Sequence, residues 1–145
     1  MFKVIRIKYF NNNLKLLEYV DGKSDWIDLR SSVTMYLKAG NSYLIPLGVA
    51  MELPKGYEAH IVPRSSTFKN YGIIQTNSVG IIDNSYNGDD DQWYMPVYAT
   101  RDTTIHLNDR ICQFRIIKNQ PSLYFQLVSR LGRKNRGGFG STGKQ

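Results

Sequence analysis

Residues 42–62 read SYLIPLGVAMELPKGYEAHIV, two apolar runs on either side of Pro54-Lys55-Gly56. Pro presets φ and Gly accepts positive φ, so Pro-Lys-Gly between apolar runs is turn chemistry. The stretch predicts a strand over 42–53, a turn, and a strand over 57–62. The pattern repeats outward in both directions. Strands are predicted over 2–9, 14–20, 26–29 and 33–37, and again over 73–76, 80–82, 92–100, 103–107, 110–117 and 123–131. Asp21-Gly22, Ala39-Gly40-Asn41, Asn87-Gly88 and Asn119-Gln120-Pro121 punctuate them. No window sustains an apolar helical period beyond two or three turns. Many short strands at this spacing predict an all-β domain: a sandwich, a jelly roll or a barrel.

The 145 residues suit one domain. The net charge of +7 is unevenly placed. Arg130, Arg133, Lys134, Arg136 and Lys144 fall after residue 128 with no acid among them, which leaves 14 basic against 12 acidic residues elsewhere. The basicity belongs to the tail, so a general nucleic-acid surface is not expected. Cys112 is the single cysteine, which excludes an intrachain disulfide and suits a reducing, cytoplasmic setting. Flanked by Ile111 and Gln113, it reads as a buried, inert thiol. Neither a signal peptide nor a membrane span is expected, because no apolar run is long enough. His60 and His106 sit apart in strand patterns, without further ligands spaced for a metal.

Three segments carry chemistry. The tail reads Arg136-Gly137-Gly138-Phe139-Gly140-Ser141-Thr142-Gly143. Glycines let backbone N–H groups turn toward an anion, Arg136 offers a planar fork, and Ser141 and Thr142 add hydroxyls. Phe139 has no strand neighbours and suits stacking on a base. A solvated linker with a stray aromatic is the plainer reading. Pro63-Arg64-Ser65-Ser66 follows an apolar strand and fits a phosphate cradle, although Ser-rich turns beside Arg are common. Residues 77–88 contain Asn77, then Gly80-Ile81-Ile82-Asp83, then Tyr86 and Gly88. Asp83 closes an apolar run, so partial burial is expected, which favours a base. An Asp that caps a turn is the alternative.

Taken together these segments resemble the trimeric dUTPases, along nearly the whole chain and closest to those of Gram-positive bacilli and their phages. Five motifs stand in the family order: Asp25-Trp26-Ile27-Asp28-Leu29, Pro63-Arg64-Ser65-Ser66, residues 77–88, Asp109-Arg110-Ile111-Cys112-Gln113, and residues 136–143. The resemblance implies a jelly-roll-like β-barrel over 1–132 and a flexible Gly-rich C-terminal arm over 133–145. It implies hydrolysis of dUTP to dUMP and pyrophosphate, with Asp83 as base and Ser65 bonding the α–β bridging oxygen. Arg64, Ser66 and Gln113 are implied at the phosphates, and Asp28 at Mg²⁺ through water. Asn77, Gly80 and Ile82 line the uracil hairpin, and Tyr86 lies under the deoxyribose. Phe139 forms the lid ring over uracil, Gly140 beside it binds substrate, and Arg136, Ser141 and Thr142 meet the terminal phosphate. A homotrimer with shared sites follows from the same resemblance.

The pattern departs from the family at three places. Asp25-Trp26 stands for Ala-Gly, Ser66 stands for Gly, and an acidic stretch, Asp89-Asp90-Asp91, precedes Gln92-Trp93-Tyr94. Trp93 and Tyr94 read as core aromatics, with a share in the uracil lid as the alternative. A dCTP deaminase of the same superfamily is the enzyme rival, but the glutamate that it needs is missing from the third motif. A regulatory role through a protein partner is the rival of another class, and the acidic stretch is its candidate surface.

Overall fold

The computed structural model describes residues 2–19 and 24–140. Among them eleven strands and one short helix follow in order: β1 Arg6–Tyr9, β2 Ile27–Arg30, β3 Met35–Leu37, β4 Ser42–Pro46, β5 Val49–Glu52, β6 Tyr57–Pro63, α1 Thr67–Tyr71, β7 Ile73–Gln75, β8 Gly80–Ile82, β9 Tyr94–Ala99, β10 Thr103–Ile105 and β11 Arg110–Lys118. All pairings are antiparallel. They form a four-stranded sheet, β2-β11-β6-β8, a three-stranded sheet, β4-β9-β7, and two ribbons, β1-β5 and β3-β10. This is the expected all-β architecture.

One core joins the sheets. Leu29, Leu37, Ile45, Val49, Ala59, Ile73, Val97, Ile105 and Phe114, from nine different strands, are buried in a single cluster. Alternation explains the inward set: in β9, Met95, Val97 and Ala99 face the core while Tyr94 and Tyr98 face outward. Trp93 is fully buried, edge-on to Phe114 with ring centroids 5.2 Å apart. That removes it from any uracil lid. Tyr94, in contrast to the core role expected of it, is partly exposed. Cys112 is buried as expected, and burial pushes its thiol far above its ordinary range.

Four departures from the expected strands have physical causes. The run 42–53 splits into β4 and β5 because Gly48 takes φ 70°, and a Cβ there would meet Ser32 Cβ at 2.6 Å and Leu14 Cδ2 at 2.7 Å. The chain thereby passes from one sheet to the other ribbon. Residues 14–19 form no strand: the Lys15 and Leu17 amides donate to Asn108 Oδ1 and the Tyr9 hydroxyl, both at 2.8 Å, rather than to a neighbouring strand. Val20 lies outside the described residues. The run 123–131 forms no strand either. Its side chains stand outside the core, with Tyr124 90% and Leu127 98% exposed, and no strand among the described residues pairs with it. Finally, α1 was not expected. It is a single turn and a half, closed at Gly72 by φ 64° and a 2.7 Å bond from the Gly72 amide to the Phe68 carbonyl.

Candidate active site

The expected phosphate residues meet at one end of the four-stranded sheet. Gln113 on β11 lies between Asp28 on β2 and Val62 on β6. Arg64 leaves β6 and turns back, so that its Nε lies 3.0 Å from Asp28 Oδ1. Arg110 Nη1 approaches the other oxygen at 3.5 Å. Gln113 Nε2 donates to the Pro63 carbonyl at 3.1 Å. A cleft of about 110 Å³ opens beside Asp28, lined also by Glu18, Ser24, Trp26, Arg30 and Arg110. Trp26, the residue in place of the family's glycine, therefore walls this cleft.

Thr67 locks the corner, a role that the sequence did not reveal. It is buried, its Oγ1 accepts the Arg64 amide at 2.8 Å, and the same hydroxyl donates to the Ile111 carbonyl at 2.9 Å. The hydroxyl thereby ties the Arg64-Ser65-Ser66 turn to β11. Ser66 caps α1 at φ −95°, ψ −3°, a conformation open to any residue, so Ser in place of Gly imposes no strain.

The expected base and sugar residues lie elsewhere. Asp83 follows β8 directly and is exposed, not partly buried as expected. Its carboxyl is held below its ordinary range first by the Ser85 hydroxyl, then by the Ser85 amide at 2.9 Å. The cause is local: the chain turns away from the sheet at residue 83, so the apolar run does not cover it. Ser85 was legible in principle, since an Asp with Ser two residues on is a turn motif. The Tyr86 hydroxyl donates to the Gln92 carbonyl at 2.7 Å, and partial burial raises its pKa. Asn77 is exposed, and its Nδ2 lies 3.3 Å from where a Cβ at Gly80 would stand, so Gly80 gives the amide room.

The segments around Asn77 and Asp83 do not form the hairpin expected of them. β7 pairs with β9 in one sheet, and β8 pairs with β6 in another. Gln75 spans the gap, its Nε2 donating to the Ile61 carbonyl at 2.9 Å. The acidic stretch is braced from within its loop and from β1: Asp91 Oδ2 accepts the Gly88 amide at 2.8 Å, and the Asp89 carbonyl accepts Lys8 Nζ at 2.7 Å.

Strand register sets the distance between the two groups. Ile82, the residue before Asp83, pairs with Ala59, whereas Arg64 follows Pro63 at the far end of β6. The four steps from Ala59 to Pro63 span roughly 13 Å at about 3.3 Å per residue. Phe139 is fully exposed, with φ 48°. Gly140 follows it at φ 86°. Ser141 and Thr142 lie outside the described residues. Among the described residues, no three His, Cys, Asp or Glu side chains gather as metal ligands, and no helix is long and apolar enough to cross a membrane.

Known proteins supply the remaining evidence. The family model described as dUTPase matches residues 16–143. The SPbeta prophage-derived deoxyuridine 5'-triphosphate nucleotidohydrolase of Bacillus subtilis is 55% identical over 139 residues, covering 96% of this chain and 97% of that one. The deoxyuridine 5'-triphosphate nucleotidohydrolase of Neorickettsia sennetsu is 35% identical over 92% of this chain and 91% of its own. Among solved structures, a mutant dUTPase of Staphylococcus bacteriophage 80alpha superposes with TM-score 0.80 at 17% identity, over 98% of this chain and 99% of that one. The dUTPase from Streptococcus mutans gives TM-score 0.72 at 21% identity, over 84% and 100%. The two structures share its fold, and the family match with the two close relatives settles its kinship: this chain belongs to the dUTPase family.

Proposed function

We propose that the protein hydrolyses dUTP to dUMP and pyrophosphate. The observation that carries this reading is the 55% identity, across nearly all of both chains, to a deoxyuridine 5'-triphosphate nucleotidohydrolase. Asp83, held ionised by Ser85, takes a proton from a water molecule, and the water oxygen attacks the α-phosphorus. The bond from that phosphorus to the α–β bridging oxygen breaks, and the electron pair leaves with pyrophosphate. Ser65 donates to the bridging oxygen. Arg64 and Gln113 hold phosphate oxygens, with Ser66 beside them, and positioning of this kind dominates phosphoryl chemistry. Tyr86 packs under the deoxyribose and excludes a 2′-hydroxyl. Asn77, Gly80 and Ile82 read uracil, Phe139 and Gly140 cover it, and Arg136, Ser141 and Thr142 reach the terminal phosphate.

Asp28 suits Mg²⁺ as an outer ligand. Each of its oxygens meets one guanidinium, which leaves lone pairs free, and among the described residues no three His, Cys, Asp or Glu side chains gather to form a protein cage. Asp28 would hold such an ion through water, and the ion would supply charge neutralisation at the triphosphate.

The assembly is a homotrimer whose sites are each built from three chains, with residues 133–145 as the arm. Two facts support this reading. Asp83 and Arg64 follow strand ends that lie toward opposite ends of β6, and residues 123–131 leave large apolar side chains exposed. A neighbour that covers them gains roughly 1.5–3 kcal/mol per buried side chain. A nucleotide panel with Mg²⁺ tests the activity. Pyrophosphate from dUTP, little turnover of UTP and no ammonia from dCTP are expected. Ammonia from dCTP would assign the chain to deamination instead.

A further inference from the structure

The loop with the added acidic stretch holds a contact that the reaction above leaves unused. Residues 88–91 form a turn, closed by the Asp91 amide donating to the Gly88 carbonyl at 3.1 Å. Tyr86 and Gln92 flank this turn, and the Tyr86 hydroxyl donates across it to the Gln92 carbonyl at 2.7 Å. At its backbone end Tyr86 is held by its own amide, which donates to the Asp83 carbonyl at 3.0 Å. The residue is thereby tethered at both ends. Gln92 is itself fixed to the core. Its Oε1 accepts the Gly48 amide at 3.1 Å, and its Nε2 donates to the Tyr94 hydroxyl at 3.2 Å. Gly48 is buried, so its amide needs the acceptor that Gln92 supplies, and Ser32 and Leu14 crowd it too closely for it to shift. The residue after Gln92 is locked on either side of Gly48: the Trp93 amide donates to the Val49 carbonyl at 2.8 Å, and the Trp93 carbonyl accepts the Leu47 amide at 2.9 Å.

We propose that Gln92 is a positioning residue for sugar selection: it anchors the Tyr86 hydroxyl to the core and so keeps the ring closed against a 2′-hydroxyl. A ring free at its hydroxyl tips aside at little cost. A ring bonded to a fixed carbonyl must first break that bond. Discrimination against ribonucleotides then depends on a residue that acts only through Tyr86. This inference rests on the reading of Tyr86 as the floor beneath the deoxyribose.

The test is the ratio of kcat/KM for dUTP to that for UTP in variants of the full chain. Tyr86→Phe keeps the ring and removes the tether. Gln92→Leu leaves the Gly48 amide without its acceptor. Gln92→Glu restores an acceptor for that amide, and the Tyr94 hydroxyl donates to it in turn. The ratio is expected to fall about 2–12-fold in Tyr86→Phe and in Gln92→Leu, the worth of one hydrogen bond, through a rise in kcat/KM for UTP, and to return toward the parent value in Gln92→Glu. A loss of packing alone lowers both substrates together and leaves the ratio fixed. An unchanged ratio in Tyr86→Phe overturns the proposal, and this variant leaves the Gly48 bond intact if Gln92→Leu does not fold. A ratio that falls in Tyr86→Phe but stays fixed in a folded Gln92→Leu overturns the role of the Gln92 side chain. Tyr86→Ala separates the inference from the reading beneath it. A ratio unmoved in Tyr86→Ala defeats the floor assigned to Tyr86 and the anchor with it, whereas a ratio that moves there and stays fixed in Tyr86→Phe defeats the anchor alone. The ring-flip rate of Tyr86, read by NMR of ¹³C-labelled tyrosine, is expected to rise in Gln92→Leu. Absence of dUTP turnover in the parent protein, with the flip rate still rising, would defeat the assigned activity and leave the anchor in place.

Discussion

The corner at residues 63–67 and the segment at 123–139 both carry cations or hydroxyls suited to phosphate, yet they are held in opposite ways. In the corner, Arg64 is bonded through its amide to Thr67 and through its guanidinium to Asp28. Thr67 is bonded in turn to β11. The tail segment is exposed along its length, from Tyr124 at 90% to Phe139 at full exposure. The difference teaches where substrate binding draws its specificity and where it meets its entropy cost. A corner fixed before substrate arrives presents its donors without further ordering. A Gly-rich segment with no core to pack on must lose freedom as it closes. On the proposed reading, closure is coupled to the nucleotide, whose base and phosphates supply contacts that the Gly-rich part of the segment lacks.

The sharpest way to break this comparison acts on the reacting atoms. Asp83→Asn is expected to cut kcat by about 10²–10⁴-fold while nucleotide affinity, read by calorimetry, is kept. Loss of affinity with turnover preserved would move the base elsewhere. The same variant tests whether corner, base and tail come from different chains. Mixed in equal amounts with chains ending at Gly132, it is expected to give active sites at roughly one quarter of positions, because two independent choices of one half must both succeed. If base and tail came from one chain, activity would stay near zero in verified mixed trimers.

Phe139→Ala sharpens the other side. Loss of a stack of about 1–3 kcal/mol lowers kcat/KM about 5–150-fold, with the ligand-free Tm unmoved. A large fall in Tm would show a core role for this ring. Thr67→Val is the opposite case. It keeps the shape, leaves the Arg64 amide without its acceptor, and is expected to cost about 1–3 kcal/mol in urea denaturation. A smaller loss of kcat/KM should accompany it as the Arg64 turn loosens. Unchanged stability would mean that the corner is held by its backbone alone.

Much of this was legible in residue order. The turn at Pro54-Lys55-Gly56, the β8 strand and the five ordered motifs were all readable, because turn chemistry and motif spacing are local. Two predicted strands failed for a reason that the sequence does not carry. Residues 14–19 and 123–131 have strand composition, but a strand exists only where a partner edge lies alongside, and no edge among the described residues pairs with either. The expected burial of Asp83 failed likewise, since the chain turns outward one residue past β8. Thr67 stood unnoticed beside the second motif, because its two hydrogen bonds join positions 3 and 44 residues away.

The sequence by itself determined the all-β class, the family, and the kinds of side chain available for phosphate, base and lid. Those are properties of residue type, spacing and order along the chain. Only the tertiary structure decided that Asp28, Arg64 and Gln113 meet at one end of β6 while Asp83 leaves β8 toward the other. Strand register fixes both placements, and register is set by which apolar side chains share the core, a choice made by all the strands together.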